Sequence, residues 1–139
     1  MSIAMLDTFL PWALPSTLQT VGFSQIDITD LLGQAEFCGA NTDNASVQIS
    51  ILGPLKIMTI TLSQTVGAVN QDGLVFTDEL PVQYRPSQNI AIPVTLINAT
   101  TSTNQQEFLT IGANGALALI PSADLADQNY LFSQTFLYL

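Results

Sequence analysis

The chain has 139 residues, enough for one domain whose core needs neither disulfides nor a metal. It carries 2 Lys and Arg against 11 Asp and Glu with no His, a net charge of −9, which excludes binding to nucleic acid or an anionic membrane surface through charge neutralisation and removes the commonest general base and metal ligand. Charged residues make up only 9% and apolar residues 47%, so the exterior must be built of uncharged groups or be covered by neighbouring subunits.

Residues 1–19 are apolar and broken by Pro11 and Pro15, with the chain's single Trp at Trp12. There is no positive n-region, Asp7 interrupts the apolar run, and no window reaches the roughly 18 apolar residues of a membrane span. The segment is expected to act as an anchor or assembly element. It would either pack within its own oligomer or dock on a larger assembly, ahead of a domain spanning residues 20–139.

Val21, Phe23, Ile26 and Ile28 alternate with a slip of one residue, the pattern of a bulged strand or two short extended pieces. The stretch 27–33 predicts one helical turn, capped by Thr29 or Asp30 and ended by Gly33. Residues 35–38 suit a short strand and 39–44 a polar loop. Val47, Ile49 and Ile51 alternate cleanly, Gly53-Pro54 makes a turn, and 55–62 returns as a strand with two largely apolar faces. Residues 66–72 predict a loop and 74–76 a short strand.

The centre of the chain is the corner Leu80-Pro81-Val82-Gln83-Tyr84-Arg85-Pro86-Ser87. Its two prolines fix their own φ and push the preceding residues into extended geometry, so the corner is rigid and cannot be helical. An apolar strand follows at 90–96, then a polar uncharged loop over 98–106. A strand at 108–111, the Asn114-Gly115 hairpin signal and a strand at 116–120 come next. A third loop, 122–129, carries Asp124 and Asp127. The last strand, 130–139, places Tyr130, Phe132, Phe136 and Tyr138 on one face and Leu131, Leu137 and Leu139 on the other. Eight or nine short strands at this spacing predict an all-β sandwich or jelly roll.

The order LP-x-x-YRPS, an extended apolar strand, LTI-x-x-NG-x-L-x-L and an aromatic last strand resembles the head domains of phage tail fibres and receptor-binding proteins. These are similar to the jelly-roll heads of the complement and tumour-necrosis-factor superfamily. The resemblance covers about residues 53–139, and its most specific part is the LP-x-x-YRP corner. It implies a jelly-roll β-sandwich assembling as a homotrimer, and a viral structural protein displayed at the virion surface as a fibre or spike head with a part in host attachment. Its partners would be itself, other virion proteins through the N-terminal segment, and a host-surface glycan or protein. A capsid decoration or minor capsid protein without receptor binding is the alternative. The globular head of a collagen-like bacterial or viral protein, at an extracellular or cell surface, is a third.

Three groups of residues are expected to matter. Leu80, Pro81, Tyr84, Arg85 and Pro86 form the structural corner. Within it Arg85 is expected to pair with a nearby carboxylate or stack on an aromatic ring; the functional alternative is a grip on an anionic receptor group. Phe136, Leu137, Tyr138 and Leu139 are the expected oligomer interface. Asn98, Thr100, Thr101, Ser102 and Asn104 are the candidate receptor loop, since contact residues concentrate at exposed loop tips.

Catalysis has little support: Cys38 and Lys56 are alone of their kind, and adjacent Asp78 and Glu79 would point to opposite faces of a strand. The protein is expected not to be an enzyme and to need no cofactor. No metal motif is present, although Asp72, Asp124 and Asp127 could offer oxygen ligands to calcium. Asn44-Ala45-Ser46 and Asn98-Ala99-Thr100 fit the glycosylation pattern, without a secretion signal to support it.

Overall fold

The computed structural model describes residues 25–65, 73–126 and 128–139. The anchor segment 1–19, the residues Val21 and Phe23, the 66–72 loop and Asp127 lie outside them. Ten strands form one antiparallel sheet: β1 (Ile26–Asp27), β2 (Ala35–Phe37), β3 (Ala40–Thr42), β4 (Ala45–Leu52), β5 (Leu55–Thr65), β6 (Leu74–Phe76), β7 (Ile90–Asn98), β8 (Thr103–Ile111), β9 (Leu117–Leu119) and β10 (Asn129–Tyr138). Their spatial order is β1-β4-β5-β10-β7-β8-β9-β6-β2-β3. The all-β expectation holds among the described residues.

The sheet curls over on itself. Phe37 of β2 meets Tyr130 of β10 edge to face, with ring centroids 6.5 Å apart, although the two strands are well separated in the sheet order. Three pairings are nested: β7 with β8, β6 with β9, and β5 with β10. The chain from β5 to β10 is thus one long hairpin wound back on itself, and the two-residue pairing of β10 with β7 closes the winding.

Period-two alternation supplies the core. On β4, β5 and β10 the inward residues Val47, Ile49, Met58, Ile60, Leu62, Tyr130, Phe132, Phe136 and Tyr138 are buried, as are Val94, Leu96, Leu109, Ile111, Leu117 and Leu119 on β7 to β9. Only one face of β5 is fully covered; Leu55, Ile57, Thr59 and Thr61 are half-buried on the other. Among the described residues the sheet is bordered by β1, of two residues, and β3, of three.

Several local expectations change. The helical turn is a 3-10 turn at Thr29–Leu32 preceded by Ile28, which offers no side-chain cap. Asp27 does that work: its Oδ1 accepts from the Thr29 N–H at 2.9 Å and the Thr29 hydroxyl at 2.6 Å, an arrangement suited to a short carboxylate two residues back. The 39–44 loop contains β3. Most of the polar loop 98–106 is strand, reduced to a turn at 99–102 between β7 and β8, which pair in unbroken register from Ile90↔Ile111 to Asn98↔Thr103.

Candidate interaction surface

The corner is held from three directions. It is not the fully extended segment that its prolines suggest: Val82–Tyr84 forms a 3-10 turn between Pro81 and an extended Arg85. The prolines permit the turn because both lie outside it, and Leu80 and Tyr84 are buried. The Leu80 N–H donates to the Gly115 carbonyl at 2.8 Å, and the Ser87 N–H to the Leu139 carbonyl at 3.0 Å. From β10 the Tyr138 hydroxyl donates to the Tyr84 carbonyl at 2.7 Å. Burial pushes the Tyr138 hydroxyl pKa well above its ordinary value. Lys56 sits over the same ring, 5.6 Å from its centroid.

Of its two expected structural partners Arg85 has the carboxylate, and its other contact is a backbone carbonyl rather than an aromatic ring. Its Nε donates to the Leu80 carbonyl at 2.7 Å, while its guanidinium reaches Glu79 at 3.7 Å, with side-chain exposures of 29% and 59%. The charge-assisted bond to the carbonyl is the stronger of the two, because the Glu79 pair is solvent-screened. Gly115, at φ +97, lies against this arrangement: a Cβ there would be 2.7 Å from Arg85 Nε and 2.8 Å from the Leu80 oxygen. The Asn-Gly signal therefore serves the corner as well as the turn.

The receptor-loop residues gather at one end of the strands. Thr100, Thr101, Ser102 and Asn104 are exposed, and Ser102 takes φ +58. Asn98 is buried. Its Oδ1 accepts the N–H groups of Thr100 and Thr101 at 3.0 and 3.2 Å, and its amide nitrogen donates to Gln128. The Thr100 hydroxyl accepts the Asn129 N–H at 3.0 Å. Asn98 is thus an internal brace of the turn, and its amide is engaged rather than presented for glycosylation; Asn44 is exposed.

The four proposed interface residues divide. Phe136 and Tyr138 face the chain's own core, 8% and 6% exposed, while Leu137 and Leu139 are each 62% exposed on the outside. A charge placed at Tyr138 would therefore break the fold before it touched any partner.

One buried carboxylate escaped sequence reading. Glu107 on β8 is 3% exposed; it accepts from the Gln105 amide at 2.6 Å, the Ser122 N–H at 3.0 Å and the Ser122 hydroxyl at 3.4 Å. It pins Ser122 to the sheet. The signal was present: Glu107 keeps the two-residue phase of inward Leu109 and Ile111. Asp30 and Asp43 border a shallow depression of about 280 Å³ beside Thr29, Gln34 and Thr42. Among the described residues, no group of three or more potential metal ligands occurs.

The outer face of the sheet is distinctive in its charge. The registers put Ser46, Gln48 and Leu52 of β4 beside Thr61, Thr59 and Leu55 of β5. Ser133, Thr135 and Leu137 of β10 adjoin Thr61, Thr59 and Ile57, Leu131 adjoins Ile97 of β7, and Pro93 lies opposite Phe108. No charged side chain faces outward from β4, β5, β10, β7, β8 or β9 among the described residues. Lys56 and Glu107, the charged residues on these strands, are both on the inner side. The outer face is tied by uncharged pairs instead, Ser46 to Thr61 at 2.6 Å, Thr59 to Thr135 at 2.9 Å and Gln106 to Thr95 at 2.8 Å. Charge returns at its borders, with Asp27 on β1 and Glu36 on β2.

No protein-family model matches the chain, and no curated protein matches it.

Proposed function

We propose that the protein is a viral structural protein, a jelly-roll head that assembles as a homotrimer and is displayed on a virion for attachment to a host. The nested pairing β5–β10, β6–β9 and β7–β8 is the observation that carries this reading. A long hairpin wound back on itself is how a jelly roll is made, with β4 and β2 adding strands to either side. The resemblance around the LP-x-x-YRP corner supplies the functional part.

The direction of the chain supports display. β1 enters in the half of the sheet nearer the 53–54 turn, pairs Ile26 with Ile49, and runs away from that turn. The exposed residues Thr100, Thr101, Ser102 and Asn104 lie at the far end. A head attached through its N-terminal segment to other virion proteins would thus present them outward. Asp43 and Asp124 lie towards that end, while the cations Lys56 and Arg85 lie at the other. The outer end therefore suits a neutral, hydroxyl-rich glycan better than a sialylated one, because an anion would meet carboxylates.

Binding of neutral glycans on an array, lost in a Ser102→Ala/Asn104→Ala variant of unchanged melting temperature, is the expected result. Absence of any binding, with the protein still recovered in purified virions, points to capsid decoration. That second reading draws on the internal bonding of Asn98 and Thr100, which leaves fewer of the turn's polar groups available to a ligand.

A further inference from the structure

We infer that the uncharged outer face of β4, β5, β10, β7, β8 and β9 is the surface through which copies of this chain associate. This inference rests on the trimer reading above and deepens it: of the four C-terminal residues it keeps the exposed Leu137 and Leu139, and it replaces the buried Phe136 and Tyr138 by the rest of a sheet face.

The argument is electrostatic first. Each copy carries −9, so two copies repel wherever their acidic borders meet. Association between identical acidic chains is least opposed across a face without charge, and the structure keeps every charged side chain of these six strands off that face. A charge-free sheet face is a poor solution for a surface meant to stay in water, since charges in outward positions are the ordinary guard against unwanted contact.

The second argument is apolar area. Phe108 is 58% exposed, and Leu137 and Leu139 are each 62% exposed. Leu137 adjoins Ile57, while Phe108 lies opposite Pro93 in the neighbouring β7–β8 pair. The hydroxyl and amide groups between them already bond across strands, so they can enter an interface without losing their partners. Contiguous exposed apolar surface is a mark of an interaction site. A second copy fits better than an unlike protein, because the face offers no charge by which to select one.

The test uses the full chain. Thr135 is exposed at the centre of the face, and Thr135→Glu there can be tolerated by the isolated fold. Sedimentation equilibrium should show wild-type chains associating and Thr135→Glu associating on the order of 100-fold more weakly, with unchanged circular dichroism. Asp124→Glu, in a loop away from the face, should match wild type. A second variant, Phe108→Lys, should weaken association likewise and guards against a folding defect peculiar to one site. Association unchanged by both variants overturns the inference even if the protein is a trimer. A wild-type dimer dispersed by both variants supports the face and overturns the trimer. A wild-type monomer whose Thr135→Cys variant resists thiol labelling overturns the inference in favour of coverage by the chain's own N-terminal residues.

Discussion

Replacing Tyr138 by Phe removes one hydroxyl and nothing else. The ring keeps its tilted contact with Phe136, centroids 5.9 Å apart, and its place under Lys56. What is lost is the 2.7 Å bond to the Tyr84 carbonyl, in a setting where Tyr138 is 6% and Tyr84 8% exposed. A buried hydrogen bond contributes about 0.5–1.5 kcal/mol net, and a carbonyl left without its partner adds a desolvation penalty of about 1–3 kcal/mol. Partial access of water to the corner brings the expected loss to ~1.5 kcal/mol, or a fall in melting temperature of roughly 5 °C for a chain of this size.

The same residue gives a pH signature. Its folded pKa lies above the unfolded value of about 10. The folded state therefore holds the proton after the unfolded state has released it. This contribution to stability is complete below pH ~10 and is lost as pH rises from there towards the folded pKa, at up to about 1.4 kcal/mol per pH unit. Urea denaturation of both proteins between pH 7 and 11 measures both effects. Tyr138→Phe should be less stable at pH 7 with the same m-value, and should lack this alkaline loss. Equal stability at pH 7 together with parallel alkaline slopes would refute the claim that Tyr138 locks the corner.

Arg85→Ala should cost about 1.5–3 kcal/mol through the bond to Leu80, whereas Glu79→Ala should cost under about 0.5 kcal/mol; thermal melts of the pair separate the carbonyl contact from the ion pair. Glu107→Ala should cost about 1–3 kcal/mol by removing the acceptor of the Gln105 amide and the Ser122 N–H, with faster exchange of the Ser122 amide as its mark. Gly115→Ala should destabilise by more than ~1 kcal/mol, since φ +97 and the nearby Leu80 carbonyl both oppose a Cβ. Thr29 holds the Asp27 carboxyl below its usual pKa through its hydroxyl and N–H. That small contribution is present above the unfolded pKa and lost as pH falls through the folded one, so Thr29→Ala should flatten the acid limb of a pH–stability curve slightly.

The strands were legible wherever period-two patterning met β-branched or aromatic residues, as at Val47 and Ile49 or across Tyr130 to Tyr138. The same alternation placed Phe136 and Tyr138 on one face and Leu137 and Leu139 on the other. What it could not say is which face the chain covers for itself. The start of β8 was hidden because Asn104 and Gln106 point outward and Glu107 inward, so the run reads as polar throughout although its phase is that of a strand. β3 was too short to show a period. The pairing of β5 with β10 and of β6 with β9 depends on distant partners, for which no local pattern exists. The charge-free face is likewise a property of register, since its residues come from six strands and become neighbours only when those are aligned.

The central claim is a trimeric head, and its mass tests that most directly. Light scattering coupled to size exclusion at micromolar concentration should give close to three times the 14.9 kDa chain mass. A stable monomer under those conditions would contradict the account.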